Sequence, residues 1–491
     1  MAKRTTIIDI GSNSMTLVIY EKSSRFAFHL IEKVRSSVRI GENAYLDDGA
    51  LTPEAMDRAF YTLQDFLQIA GSYKSQKIFC VATSALRDAP NRRLFLTRVR
   101  NELKLNIKVI DGKKEAYFGA LAALNLLPDF HKATTVDIGG GSTELAKIEN
   151  GKIVDTLSLD LGTVRLKELF FDRRKGFKEA STYVKEALEE IPEHFRCETI
   201  IGIGGTIRAL SKAIMRLEKY PLDTLHAFTY PYDAHAKLIK KIARSDVPAL
   251  KDFPISSSRY DTIREGSTIF YQLNKFLKPK YVVTSKAGVR EGVYLHDILR
   301  NANHRFPHNF NVSVKSLLDR FALLPRHCTH SQRVAKSIYD ALDETFDPNR
   351  RYRRALSIAA KLLLIFNRFN IYSNSDYSFF YLLENLNFQF SHEEKLLIAV
   401  LLRFSQTGKV NNGIYKTYKT LLPDLQTLRW LTFILTLTEA LVRNKTLTPI
   451  DATFDAKVLQ ICSAEELFLA KEAIKKIKKP VAFAVKVEKC S

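Results

Sequence analysis

The chain says nearly the same thing twice, as "TTIIDIGSNSMTL" at residues 5 to 17 and "TTVDIGGGSTEL" at residues 134 to 145. In each stretch a short β-branched run ends in Asp-Ile-Gly, passes through a turn of small residues and enters a second apolar run. Asp9 and Asp137 stand at equivalent places, which predicts an internal duplication and two related α/β halves. Over the first ~300 residues strand and helix signals alternate, as such halves require. "KIFCVATSAL" (77 to 86) reads as a strand leaving into a polar turn, and "NIKVID" (106 to 111) as a strand before the helical "KKEAYFGALAALNLL". "ETIIGIGG" followed by "TIRALSKAIMRL" is strand, glycine turn and helix, and Asn150-Gly151 marks a further hairpin.

Near residue 300 the pattern changes. "RNANHRFPHNFN" is a polar, proline-containing linker, and beyond it apolar residues recur at helical spacing, as in "SQRVAKSIYDALDETF" and "EEKLLIAVLLRF". A length of 491 residues fits roughly three domains. We therefore expect α/β domains over 1–125 and 126–303 and a helical domain over 304–491, with room for one short strand at "VAFAVKVEK".

Composition excludes some classes and narrows others. No apolar run reaches the roughly 18 residues of a membrane span, and the N-terminus enters a strand directly. Five cysteines without a C-x-x-C pair suit reduced thiols in a cytoplasmic protein. The net charge of +22 attracts polyanions, and part of it is clustered in "RRYRR" (350 to 354) and "KKIKK" (475 to 479). Such clusters are as readily solvated surface, so charge alone names no ligand.

The two Asp-Ile-Gly loops return into strands and neither carries Gly-Lys-Ser/Thr, so a Walker A loop is excluded. A strand–turn–strand glycine loop still offers backbone N–H groups and hydroxyls to an anion. The first loop offers Ser12, Asn13 and Ser14; the second offers Gly139, Gly140, Ser142 and Thr143. Asp9, Asp137 and Glu144 are hard oxygen ligands beside these loops, which favours Mg²⁺, with Mn²⁺ as the substitute. Glu115, at a helix start, is a further carboxylate of the kind that orients or deprotonates an attacking water. Arg87 and Arg259 could neutralise phosphoryl oxygens through paired donors. Each has an ordinary alternative: a strand-ending turn for one Asp-Ile-Gly, a solvated helix-start carboxylate for Glu115, surface charge for the arginines. Two matching loops and a third glycine turn at "GIGGT" favour the phosphate reading.

Two α/β halves with hairpin phosphate loops resemble the actin–hexokinase–heat-shock (ribonuclease H-like) superfold. More narrowly, "DIGSNSMTLVIY", "ATSALRDAPN", "DGKKEA", "DIGGGSTEL", "LDLGTVRL", "GIGGTIRAL" and "GVREGVYL", in this order, resemble the exopolyphosphatase and guanosine pentaphosphate phosphohydrolase (Ppx/GppA) family. The resemblance implies Mg²⁺-assisted release of a terminal phosphoryl group from polyphosphate or guanosine pentaphosphate, in a cleft between the halves. It implies Glu115 as the base and Asp137 and Glu144 as carboxylates supporting metal and catalysis; Asp9 is expected as a further metal ligand from its place beside the first loop. Asn13, Arg87, Gly139, Ser142 and Arg259 match phosphate-contacting positions and Thr163 a phosphate-side one; Ser12, Ser14 and Gly140 are expected beside them as phosphate-binding residues of the two loops. In "DGKKEA" relatives often carry two adjacent glutamates, whereas Lys114 precedes Glu115 here, leaving a single carboxylate as base.

Long relatives add an all-helical domain like that of HD phosphohydrolases, whose His–Asp pair binds metal. Here apolar residues around Leu364 and Ile365 replace the pair, and Arg403-Phe404 stands where a histidine is expected. The resemblance therefore implies an all-α, degenerate HD-like domain suited to polyanion binding and homodimerisation. His327 and His330 lack the second cluster that zinc requires. Nucleic acid and membrane are not expected as partners. Two alternatives stay open: an ATP-dependent kinase or ATPase of the same superfold, and a non-catalytic binder of alarmones or nucleic acid.

Overall fold

The computed structural model describes residues 3–45, 49–173, 175–369 and 375–490. The chain divides into two compact units, Met1–Phe310 and Asn311–Ser491.

The first unit holds two sheets of the same plan. In the first, β1 (Lys3–Ile10), β2 (Met15–Lys22), β3 (Phe28–Ser36), β4 (Lys77–Ala82) and β5 (Ile107–Val109) lie in the order β3-β2-β1-β4-β5. In the second, β6 (Lys132–Ile138), β7 (Thr143–Glu149), β8 (Lys152–Leu159), β9 (Thr199–Ile203), β10 (Thr229–Pro231) and β11 (Tyr281–Thr284) lie in the order β10-β11-β9-β6-β7-β8. Each sheet opens with an antiparallel meander and continues into parallel strands beside its first strand. The repeated motif is thus the first hairpin of each sheet. Asp9 pairs with Thr16 in one, and Asp137 with Glu144 in the other. The second copy carries a carboxylate where the first carries a hydroxyl.

Each sheet buries its strands under helices. Ile8, Ile10, Leu17 and Ile19 pack with Phe60, Leu63 and Phe66 of the helix Pro53–Ser72. Val136, Ile138 and Leu145 pack with Ile207, Leu210 and Ile214 of the helix Gly204–Leu217. The helix Gly112–Leu126 follows β5 in the chain yet lies on the second sheet, where Ala116, Ala120 and Ala123 meet Ala133, Ala146, Ile201 and Ile203. Small side chains on both surfaces let helix and sheet approach closely. The helix Val289–Ile298 makes the reverse crossing and packs on β1. A Cβ on Gly292 would lie 2.0 Å from the Phe118 carbonyl oxygen, so only glycine permits the two crossing helices to touch there.

The second unit is built on long helices, Pro325–Phe346, Arg353–Phe369, His392–Ser405 and Leu425–Leu441 among them. It is not all-α. β12 (Ile450–Phe454), β13 (Val458–Ser463) and β14 (Ala484–Lys489) form a sheet in that order, β12 antiparallel and β14 parallel to β13. The β13–β14 pairing brings Cys462 and Cys490 together as a disulfide, with Cα atoms 5.6 Å apart. The expectation of five reduced thiols is corrected for this pair. Cys80, Cys197 and Cys328 are free. Among the described residues no helix is long and apolar enough to cross a membrane.

Candidate active site

The two repeated hairpins open into one cavity of about 590 Å³ in the first unit. Its floor is backbone. Gly11 N–H donates to the Ser14 carbonyl at 3.2 Å, and Gly139 N–H to the Ser142 carbonyl at 2.9 Å, so both loops make the same tight turn. The turns face each other closely: a Cβ on Gly140 would sit 2.8 Å from the Ser12 Cβ. Behind the second turn, Thr163 N–H donates to the Gly139 carbonyl at 3.0 Å and Val164 N–H to the Gly140 carbonyl at 2.7 Å. A third glycine turn starts the helix Gly204–Leu217, and Gly204, Gly205 and Thr206 line the same cavity. Gly204 has φ +87°, a conformation open to glycine, and its Cα lies against Asp137.

Of the residues singled out from sequence, Asp9, Ser12, Asn13, Ser14, Glu115, Asp137, Gly139, Gly140, Ser142, Thr163 and Arg259 all line this cavity. Arg87, Thr143 and Glu144 do not; Arg87 and Glu144 stand in the layer behind it, and the buried Thr143 hydroxyl donates to the Leu161 carbonyl. Arg87 donates to the Glu115 carboxylate at 2.9 Å and to Ser142 Oγ at 3.3 Å. It therefore links the candidate base to the second hairpin. Glu144 is buried and accepts from Ser158 Oγ at 3.0 Å.

Glu115 comes to the cavity through helix chemistry. Asp111 caps the helix Gly112–Leu126 by accepting from Lys114 N–H at 2.7 Å, which fixes the first turn and the direction of Glu115. Burial, with the charge of Glu144 adding to it, raises the Glu115 carboxyl well above the usual range, against the pull of Arg87. Burial also raises Glu144, helped by Asp137, and lifts Asp137 to about 6. Asp9 is raised by burial, with Arg290 3.8 Å away working the other way.

The cations are crowded too. Lys33, Arg35, Arg208, Lys212, Arg216, Arg259, Lys286 and Arg290 line the cavity, eight positive side chains against the three carboxylates Asp9, Glu115 and Asp137. Burial and the nearby Arg290 lower Arg208 to about 10, and Arg35 is lowered by burial and by Arg259. Such a cavity is unfavourable to itself and favourable to a polyanion. Seven of these eight escaped the sequence reading, and the signal was there as periodicity. Arg208, Lys212 and Arg216 recur every four residues on one helix face, and Lys33 and Arg35 alternate along a strand.

The contiguous run "RRYRR" behaves oppositely. Arg350 pairs with Asp343, Arg351 with Asp347, Arg353 with Asp340 and Arg354 with Glu394, so its charge is neutralised within the second unit. Among the described residues no group of three or more His, Cys, Asp or Glu side chains converges as a metal cage. Asp9, Asp137 and Glu144 are thus not one preformed cluster. In the second unit His327 Nε2 is bonded to the Lys445 carbonyl at 2.8 Å.

A duplicated α/β unit whose paired glycine hairpins close on a cation-rich cavity defines a phosphate-handling protein of the actin-like superfold. Residues 18–301 match the model of the Ppx/GppA phosphatase family, and the chain belongs to that family. It is 24% identical over 404 residues to a guanosine-5′-triphosphate,3′-diphosphate pyrophosphatase of Photobacterium profundum, covering 81% of this chain and 79% of the relative. It is 28% identical over 316 residues to exopolyphosphatase 2 of Mycobacterium tuberculosis, covering 60% of this chain and 96% of the relative. A bifunctional 3-dehydroquinate synthase/phosphatase of Fusobacterium nucleatum is 29% identical over 59% of this chain, which spans only 46% of that protein. Among solved structures, the Aquifex aeolicus family member superposes with a TM-score of 0.53 at 27% identity, over 61% of this chain and 99% of that one. An exopolyphosphatase from Cytophaga hutchinsonii shares the fold at a TM-score of 0.54 and 22% identity, over 60% of this chain and 98% of that one.

Proposed function

We propose that the protein is an exo-acting phosphoanhydride hydrolase that removes terminal orthophosphate from inorganic polyphosphate, from the 5′ end of guanosine pentaphosphate, or from both. The observation that carries this reading is the meeting, in one cavity, of both glycine hairpins, a cationic surplus and Glu115. Backbone N–H groups and hydroxyls of the hairpins grip the terminal phosphates, and the cavity cations neutralise the chain behind them. Glu115 takes the proton of the attacking water. Its raised proton affinity suits a base, while the ion pair with Arg87 keeps its charged form accessible. Arg87 is then a positioning residue for that base.

A magnesium ion fits this donor set as a partner of phosphate oxygens. Asp137 and Glu144 stand directly opposite each other on β6 and β7, and burial together with mutual repulsion disfavours charging both. A divalent cation relieves that repulsion, and Mg²⁺ is usually held by one or two carboxylates with waters and substrate oxygens. Asp137 and Glu144 would hold it. When bound, it would neutralise charge developing on the phosphoryl group. Asp9 faces Arg290 and is the weaker candidate.

The test is orthophosphate release from long-chain polyphosphate and from guanosine pentaphosphate, side by side, with and without Mg²⁺. Release from at least one, dependent on the metal, is expected. Release from neither, with phosphate transferred from ATP to an acceptor, would replace this reading by a kinase.

A further inference from the structure

The chain that follows β3 meets both hairpins. Residues 39–45 are tied to the first by backbone: Arg39 N–H donates to the Asn13 carbonyl at 3.2 Å, and Gly41 N–H to the Ser12 carbonyl at 2.9 Å. A single side chain ties them to the other half. The buried Glu168, in the short helical turn Lys167–Phe171, accepts from Asn43 N–H at 2.8 Å through one oxygen and from Tyr45 N–H at 3.1 Å through the other. An ionised carboxylate only accepts, so both of its oxygens serve this contact.

These bonds deliver Tyr45 to the place where the hairpins face each other. Its hydroxyl lies 3.3 Å from Ser12 Oγ and 3.3 Å from Ser84 Oγ. It presses on the second hairpin as well, since a Cβ on Gly141 would stand 1.8 Å from that hydroxyl. Arg165, from the second half, covers the ring with its guanidinium carbon 4.5 Å from the ring centre. The same guanidinium donates to the Gly141 carbonyl at 3.0 Å and to Asp88 at 3.1 Å. Ser12 lines the hairpin cavity, whereas Tyr45, Arg165 and Glu168 do not.

The hydroxyl protons give this arrangement a direction. Ser84 Oγ donates to the Asp88 carboxylate at 3.2 Å, so its hydrogen is committed and its oxygen is left to accept. The Tyr45 hydrogen then goes to Ser84 or to Ser12. Both contacts are long for a hydroxyl pair, so neither serine holds it firmly. An anion in the cavity decides between them. Ser12 gives its own hydrogen to a phosphate oxygen and accepts that of Tyr45, and a hydroxyl that accepts in this way donates more strongly.

We propose that Tyr45, held by Glu168 and Arg165, is a positioning residue that acts through Ser12 and directs its hydroxyl at the phosphate gripped by the first hairpin. The inference rests on the phosphate reading of the cavity. Tyr45 stands behind Ser12 and away from Glu115, so its effect falls on phosphate binding and not on the proton transfer from water.

Calorimetric titration of the metal-free full chain with inorganic tripolyphosphate tests it, alongside orthophosphate release in Mg²⁺. Tyr45→Phe keeps the ring and its contact with Arg165 and removes only the hydroxyl. It should weaken tripolyphosphate binding about three- to tenfold, the worth of one ordinary hydrogen bond. In a Ser12→Ala background the same substitution should leave affinity within about twofold, because the group it acts through is gone. Glu168→Gln turns an N–H donor toward a backbone N–H, so it should weaken binding too, and less than additively with Tyr45→Phe. In turnover, Tyr45→Phe should raise KM and leave the acidic limb of the pH profile where it is. The proposal is overturned if Tyr45→Phe binds like the parent, or if its effect persists undiminished in the Ser12→Ala background, as a merely structural tyrosine requires. A parent that neither binds tripolyphosphate nor releases phosphate would remove the phosphate reading and this inference with it; a parent that does both, matched by Tyr45→Phe, would remove the role of Tyr45 alone.

Discussion

Replacing Arg87 by Ala tests how the candidate base is held. Arg87 lies 2.9 Å from the Glu115 carboxylate, and both side chains are mostly buried. At that distance an effective dielectric of about 20 gives an attraction of about 6 kcal/mol as a ceiling. A neighbouring opposite charge in practice lowers a carboxylate by about 1–3 pKa units. Burial already raises Glu115, so loss of Arg87 raises it further by that amount. Only the ionised carboxylate can accept the proton of water. The acidic limb of kcat/KM should therefore move to higher pH by about 1–3 units, and each unit lowers the rate about tenfold at a pH below the new value. Arg87→Lys keeps the charge and should move the limb less. The assay is orthophosphate release across a pH series from about 5 to about 9, with thermal unfolding of each variant alongside. An unmoved acidic limb with a raised KM would make Arg87 a direct phosphate contact and refute the positioning role.

Three further outcomes follow from the same geometry. Gly140→Ala drives a methyl group to 2.8 Å from the Ser12 Cβ, so the hairpins must separate; turnover should fall and stability drop by about 1–3 kcal/mol, read by kinetics and unfolding. Arg350→Ala uncovers the buried Asp343 carboxylate, while Arg350 itself is half in water. It should cost about 1–3 kcal/mol, less than a fully buried pair, and leave the KM for polyphosphate unchanged. Asp137 has its ordinary value of 3.8 raised to about 6 by burial, so the stability it contributes is full below 3.8 and is lost as pH rises through about 6. The metal-free protein should lose stability over that window, and Mg²⁺ should raise the melting temperature more at about pH 8 than at about pH 5. A Mg²⁺ effect independent of pH would remove Asp137 from the metal's reach.

The duplication was legible because the motif that carries it also builds it. The same Asp-Ile-Gly turn closes the first hairpin of each sheet, and Asp9 and Asp137 occupy matching positions in matching strands. The crossing helices were not legible, because nothing in "KKEAYFGALAALNLL" says which sheet its alanines will meet. The small sheet of the second unit was hidden by its turn. β12 and β13 are joined through Ala456 at φ +69°, a left-handed position without the glycine or asparagine that usually betrays a hairpin. Charge misled where it was contiguous and informed where it was periodic. Four arginines of "RRYRR" face acids of their own unit, whereas Arg208, Lys212 and Arg216, spread along a helix, converge on the cavity. Type and motif make Arg87 a candidate phosphate contact; its bond to Glu115, 28 residues away, is a pairing that only the fold reveals.

The central claim is that Glu115 acts as a base in a hairpin cavity that grips phosphate. The most direct measurement compares Glu115→Gln with the parent for orthophosphate release and, in the same preparations, for polyphosphate and guanosine pentaphosphate binding. The amide keeps the size and hydrogen-bonding shape of the side chain and removes its basicity. Release should fall by about 10²–10⁴-fold, the usual worth of a positioned base, while the dissociation constants stay within about twofold. Release at the parental rate, or binding lost in step with release, would contradict the claim.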